Sequence, residues 1–291
     1  MYYEGPIYRP PSEADSLLVQ ATVGCPHNRC TFCMIYKNGP PFRIRKMADI
    51  KADLTEAREI YGEAVRTLFF PAGNTIVMKT PDLCEICRFS RSLFPHLSRI
   101  TVYGSSHYIC KKGPDDLKRL AEAGLSRIHV GLESGDDTIL RRIRKGTDAR
   151  EQITAGQWVM ASGMELSMYV ILGIGGQART AAHALKTAEV LSRVSPDFIR
   201  LRTFVPKINT PMLADVQAGR FRMLGPRDVL RETALLIRNL TARSRLTSDH
   251  YTNYISLDGR LPDDRDRLLR QIEAALKRDV SAFRPFFIGD A

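Results

Sequence analysis

The stretch SLLVQATVGCPHNRCTFC (residues 16–33) runs from a short apolar strand directly into a loop that carries three cysteines. Cys25, Cys30 and Cys33 follow one another with the spacing C-x4-C-x2-C. Thiolates on one short loop can converge on a single soft metal centre, either a zinc ion or an iron–sulfur cluster. A structural zinc site needs a fourth ligand, for which His27 is the nearest candidate. A cluster held by three protein ligands instead keeps one iron open, so three cysteines favour chemistry at the site.

Outward from this loop, the sequence alternates between strand patterns and amphipathic helical patterns. The predicted strands are residues 16–22, 65–70, 99–104, 127–133, 165–173 and 197–205. Each strand but the last is followed by a predicted helix before the next one, as parallel pairing requires. The alternation predicts an α/β protein with a parallel sheet. Two further amphipathic helices are predicted after Pro206, in residues 225–244 and 261–279.

One face of the predicted strands is polar, and it includes Thr101, His129, Ser167, Arg200 and Arg202. The inside of a closed eight-stranded barrel is filled by bulky apolar side chains, and burying unpaired polar groups is costly. The polar face therefore predicts an incomplete, open barrel with a cavity for a polar ligand. A solvated face of an open sheet is the alternative. His129 is expected either to contact substrate or to bond a neighbouring side chain, and the arginines favour an anionic ligand.

The amino-acid composition limits the classes of protein to which this chain can belong. Among 291 residues, 43 are basic and 32 acidic, for a net charge of +11. This excess fits a nucleic-acid partner, an anionic small substrate or good solubility, and the basic residues are dispersed along the chain. No apolar run approaches the length of a membrane span, and no secretory signal pattern is present. We therefore expect a cytoplasmic protein whose six cysteines are thiols or metal ligands.

Two other segments are open to more than one interpretation. Cys84 and Cys87 lie one turn apart on the predicted helix 80–94, where buried packing is favoured over a second cluster. The polar, aromatic segment SDHYTNY (residues 248–254) is either a lid that contacts substrate or an ordinary loop.

The cysteine loop resembles the cluster-binding loop of the radical S-adenosylmethionine (SAM) superfamily, with one residue more than its commonest C-x3-C-x2-C spacing. The segments FPAGNTIV (70–77), VGLESGDD (130–137) and VILGIGGQ (170–177) fall where that family contacts SAM. The motifs GLESGDD and GIGGQ are most similar to the branch containing oxygen-independent coproporphyrinogen oxidases and Elongator-type proteins. The resemblance covers about residues 16–210.

The resemblance implies a partial (β/α)6 TIM-like barrel over residues 16–210, after an N-terminal extension (1–15) and before a C-terminal helical extension (211–291). It implies that Cys25, Cys30 and Cys33 bind a [4Fe-4S] cluster. The residues that it implies at SAM are Phe32, Gly73, Asn74, Ser105, Glu133, Ser134, Gly173, Arg200 and Val205.

The activity that the resemblance implies is reductive, oxygen-sensitive cleavage of SAM. A 5′-deoxyadenosyl radical would then abstract hydrogen from a substrate, with a flavodoxin or ferredoxin as electron donor. A small anionic substrate is favoured over RNA. The alternative is a non-catalytic zinc or iron–sulfur protein that binds RNA through its positive charge.

Overall fold

The predicted alternation of strands and helices is confirmed in a computed structural model that describes residues 1–5 and 7–289. The strands are β1 (Leu17–Leu18), β2 (Thr22–Val23), β3 (Arg43–Ile44), β4 (Thr67–Phe70), β5 (Arg99–Gly104), β6 (Arg127–Glu133), β7 (Glu165–Leu172), β8 (Phe198–Thr203), β9 (Arg245–Thr247) and β10 (Asp258–Arg260). The helices are α1 (Met47–Tyr61), α2 (Thr80–Leu93), α3 (Ser106–Glu122), α4 (Asp137–Arg142), α5 (Ala149–Ala161), α6 (Gly176–Val194), α7 (Pro211–Gln217), α8 (Pro226–Asn239) and α9 (Arg265–Leu276). In the described part of the chain, no helix is both long and apolar enough to cross a membrane.

The chain divides into two units whose segments alternate along the sequence. The first contains Met1–Asn28, Ile35–Val130 and Thr154–Leu166. The second contains Arg29–Met34, Gly131–Ile153 and the described residues from Ser167 onward.

Parallel pairing of β1 with β4, β4 with β5 and β5 with β6 forms the sheet of the first unit. Leu68 lies opposite Ile100, and Val102 lies opposite Ile128. These four side chains are fully buried. Because successive side chains point to opposite faces of a strand, the apolar face predicted from sequence is buried, and Thr101 and His129 on the opposite face are buried as well.

Glu13 is a buried carboxylate at the amino-terminal ends of these strands, on a short 3-10 helix (Pro11–Glu13). The groups around its two oxygens are Ser16 Oγ at 2.6 Å, Arg99 Nη2 at 3.1 Å, Thr101 Oγ1 at 3.3 Å, His129 Nε2 at 3.0 Å and Arg127 Nη1 at 3.5 Å. Burial alone would raise the pKa of Glu13, but hydrogen bonds with His129 and Ser16, and the charges of His129 and Arg99, lower it to about 2. One carboxylate therefore joins strands β5 and β6 to the chain that enters β1. Of the two roles expected for His129, the bond to a neighbouring side chain is the one observed.

In the second unit, β8 pairs in parallel with both β7 and β9, and β9 pairs antiparallel with β10. Met168, Ile199 and Leu246 are fully buried on adjacent strands of this sheet. Helix α8 packs against both α6 and α9.

Two parts of the predicted secondary structure are wrong. The single strand predicted over residues 16–22 is two short strands, and the second of them, β2, pairs antiparallel with β3. The segment after Pro206 was predicted to contain two helices separated by a polar, aromatic stretch, but it also contains β9 and β10. Each of these strands has three residues, RLT and DGR, and three residues are too few to show an alternating pattern.

Candidate functional site

Gly73 packs directly against the first cysteine of the loop. A Cβ atom on Gly73 would lie 2.6 Å from Cys25 Cβ and 3.0 Å from its Sγ, and the Gly73 amide donates to the Gly24 carbonyl at 3.1 Å. Ala72, just before it, has a φ of 93°, which a residue with a Cβ rarely adopts. Such strain persists where the surrounding structure requires it, often at a functional site. Only glycine fits beside Cys25.

We expect Gly73→Ala to weaken iron binding by at least about tenfold, because the added methyl group must displace Cys25. The measurement is the rate at which a chelator removes iron from the anaerobically reconstituted protein. Gly225→Ala is the matched control, since a Cβ at Gly225 would meet nothing within 4 Å. Equal iron loss from the two variants would contradict the proposed role of Gly73.

The cysteine loop has a backbone suited to a thiolate ligand. The Asn28 amide donates to Cys25 Sγ at 3.5 Å, and Asn28 has a φ of 39°. Such N–H···S contacts orient and tune metal-bound thiolates. All six cysteines are in the thiol form, and Cys25, Cys30 and Cys33 are half-buried. Within residues 1–5 and 7–289, no three His, Cys, Asp or Glu side chains are grouped as a metal ion requires. The fit of a metal cluster to this loop is therefore supported by the three thiol donors, by the Asn28 amide and by the close packing of Gly73 against Cys25.

Asn74 and Ser105 bond to each other across the ends of two neighbouring strands. Asn74 Nδ2 donates to Ser105 Oγ at 3.0 Å, and the Ser105 amide donates to Asn74 Oδ1 at 2.9 Å. Asn74 is almost fully buried. Two residues predicted from different strands are thus brought together, and each fixes the orientation of the other.

In the second unit, the loop segment with Cys30 and Cys33 is anchored on an apolar cluster. Phe32 packs against this cluster, which consists of Ile139, Leu140, Ile143, Ile174, Phe204, Met212 and Phe221. The Thr31 amide donates to the Ile143 carbonyl at 2.9 Å, and the Met212 amide donates to the Thr31 carbonyl at 3.1 Å. The aromatic residue before the last cysteine therefore holds the loop in place.

Glu133 ends β6 in a strained conformation. Its φ is 61°, and its carboxylate accepts a 2.7 Å bond from Lys145 Nζ. A Cβ on Gly131 would lie 2.1 Å from Glu133 Oε1, so glycine leaves the room that this side chain occupies. A glutamate held in the left-handed region at a strand end points to a functional position.

A buried polar network connects the GLES and GIGG motifs. Ser134 Oγ lies 2.9 Å from His183 Nδ1 and accepts a 3.0 Å bond from the Asp136 amide. Glu232 accepts a 2.6 Å bond from the Gly173 amide, and its Oε1 lies 3.7 Å from His183 Nε2. Burial lowers the pKa of His183, although the nearby Glu232 and Asp136 carboxylates act in the opposite direction. Sequence analysis missed His183 and Glu232, because both lie within ordinary amphipathic helix patterns.

Arg200 and Val205 are both buried. Arg200 donates to Ser167 Oγ at 3.0 Å and to Thr247 Oγ1 at 3.4 Å, and its guanidinium carbon lies 5.2 Å from the centre of the Phe198 ring. Its donors thus reach hydroxyl groups on both neighbouring strands.

Cys84 and Cys87 are buried on α2, and burial raises the pKa of each thiol, to about 12 for Cys87. A raised thiol pKa is expected for cysteines that pack in the protein interior.

Comparison with known proteins gives a match to the family described as the radical SAM superfamily, over residues 19–187. The 4′-phospho-dehydrooxetanocin synthase of Priestia megaterium is 25% identical over 178 residues, which cover 54% of this chain and 23% of that protein. The chain thus matches about a quarter of the length of this relative.

Two solved structures resemble the chain in fold. Methylornithine synthase has a TM-score of 0.56 at 16% identity, covering 93% of this chain and 82% of that one. Coproporphyrinogen III oxidase from Escherichia coli has a TM-score of 0.56 at 18% identity, covering 77% and 52%. These likenesses confirm the predicted fold class, a mixed α/β fold with mostly parallel strands like a TIM-type partial barrel.

Proposed function

Since this chain belongs to the radical SAM superfamily of enzymes, we propose that it cleaves SAM reductively and acts on a small anionic substrate by hydrogen abstraction. A bound [4Fe-4S] cluster and SAM would supply the one-electron chemistry that generates a 5′-deoxyadenosyl radical. Cys25, Cys30 and Cys33 would hold the cluster. The close approach of Gly73 to Cys25 is the observation that most supports this proposal, because the segment that the resemblance assigns to SAM contacts the first cysteine of the loop.

The polar side chains at the strand ends would orient SAM. The Asn74–Ser105 pair keeps two polar groups in one fixed arrangement, and Glu133 is held by Lys145. Preorganised groups of this kind bind a polar ligand without a further ordering cost.

Other predicted contacts have more than one candidate role. Ser134 and Gly173 would act by positioning their motifs, since both belong to the network around His183 and Glu232. Phe32 would hold the cysteine loop, while Arg200 and Val205 stay candidates for contact with SAM.

An anionic substrate is supported by the net charge of +11. The name of the Priestia megaterium relative also refers to a phosphorylated compound. Six cysteines in the thiol form fit a reducing compartment such as the cytoplasm, where a flavodoxin or ferredoxin would donate the electron.

Metal analysis after anaerobic reconstitution with iron and sulfide tests the proposal. We expect about four irons per chain and a change in the electron paramagnetic resonance signal of the reduced protein when SAM is added. The Cys84→Ala variant should bind the same amount of iron as wild type, because this buried thiol lies outside the loop. One zinc per chain, no iron and a salt-sensitive affinity for RNA would instead support a non-catalytic metal protein.

A further inference from the structure

Arg202 is an exposed arginine near the carboxyl end of β8, and its charge is not balanced by an acidic neighbour. Its Nη2 lies 3.0 Å from His250 Nε2. Among the residues that the structure describes, no carboxylate lies within ion-pairing distance of this guanidinium. Arg245, on the neighbouring strand β9, is by contrast paired with Asp258. Arg202 therefore contacts an imidazole, whereas Arg245 contacts a carboxylate.

His250 is a neutral partner for this arginine. Burial, followed by the charges of Arg202 and Lys207, lowers the pKa of His250 from 6.5 to about 4. The charged groups that act on His250 are therefore both cations. The Thr252 amide donates to His250 Nδ1 at 3.2 Å, so the proton of the neutral ring lies on Nε2. His250 Nε2 and Arg202 Nη2 therefore both present N–H donors, which an oxyanion can accept.

The segment that carries His250 is fixed to the end of β8. Asn253 donates to the Leu201 carbonyl at 2.8 Å and accepts from Thr203 Oγ1 at 3.0 Å. Arg284 donates to the Thr252 carbonyl at 2.7 Å. Its guanidinium carbon also lies 4.4 Å from the centre of the Tyr254 ring and 4.9 Å from that of Phe287. These bonds hold residues 252–254 beside the end of β8.

We propose that Arg202 and His250, with Lys207 beside them, bind an oxyanion of the substrate, either a phosphate or a carboxylate. Parallel α/β folds bind ligands at the carboxyl ends of their strands, which is where Arg202 lies. A guanidinium binds such oxyanions through two parallel hydrogen bonds. The identity of this anion as part of a substrate rests on the proposed function, whereas the site itself does not.

Titration of the full-length protein with inorganic phosphate, followed by phosphorus NMR, tests the site. We expect Arg202→Gln to bind phosphate about tenfold more weakly than wild type. Arg231→Gln is the matched control, because Arg231 is an exposed arginine that already pairs with Asp228. A parallel titration with malonate shows whether the site prefers a carboxylate. Equal affinity of Arg202→Gln and Arg231→Gln for both anions would overturn the proposal.

The titration of His250 provides a second readout that a purely structural role would not change. Phosphate bound at Arg202 offsets the cations that lower the pKa of His250, so NMR of labelled histidine should show this pKa rising toward 6.5. An unchanged His250 titration at saturating phosphate would also overturn the site. If wild type cleaves no SAM, the proposed function fails while the phosphate result still stands.

Discussion

We expect Cys30→Ala to lower the rate of reductive SAM cleavage by at least about 100-fold. The loop supplies three thiolates, and a [4Fe-4S] cluster uses a protein ligand on each iron that does not bind SAM. Removing one thiolate therefore leaves an iron without its ligand, and no fourth cysteine lies in the loop to replace it. The measurement is 5′-deoxyadenosine formed by the reconstituted protein under dithionite.

Cys87→Ala provides the control for the loss of a cysteine as such. Cys87 is fully buried on α2, and burial raises the pKa of its thiol to about 12, so it is a poor thiolate donor. This variant should keep the iron content and the SAM cleavage of wild type. Full cleavage activity in Cys30→Ala would refute the ligand assignment.

The second large effect is on stability, and it concerns Glu13. We expect Glu13→Ala to lower the free energy of unfolding by about 3–5 kcal/mol, because it removes the buried carboxylate that bonds to His129, Arg99 and Ser16. Urea denaturation at pH 7 measures the effect. Glu85→Gln, which removes an exposed ion pair with Lys51, should change stability little. Similar stabilities of the two variants would contradict the role assigned to Glu13.

The pH dependence of stability provides an independent test of Glu13. Its pKa in the folded protein, about 2, lies below the ordinary value of 4.5. The folded state therefore favours the ionised form, and the resulting stability is fully present above pH 4.5. It is lost as the pH falls from there toward 2. We expect wild type to lose more stability than Glu13→Gln over this window, and parallel pH profiles would contradict the assignment.

Local patterns were sufficient to predict much of the fold. Strands β5 and β6 have the predicted bounds, because each is a short run with alternating apolar residues. The structure also buries the apolar face predicted for them. Strands β9 and β10 could not be predicted, since three residues are too few to show a pattern and β9 pairs with β8, which lies much earlier in the sequence.

The same distinction applies to the candidate site. Gly73 was assigned through the family resemblance, whereas the strain at Ala72 and the fit against Cys25 depend on tertiary structure. Glu13 was assigned to an N-terminal extension, because its partners in β5 and β6 lie at least 86 residues away. His183 and Glu232 were missed for the same reason, as they meet Ser134 and Gly173 only through folding.

The most direct test of the proposed function is the incubation of the reconstituted wild-type protein with SAM and dithionite, without substrate, under anaerobic conditions. We predict that 5′-deoxyadenosine and methionine form in equal amounts, and that omitting dithionite stops both. A protein with its full complement of iron that forms neither product would contradict the proposed function.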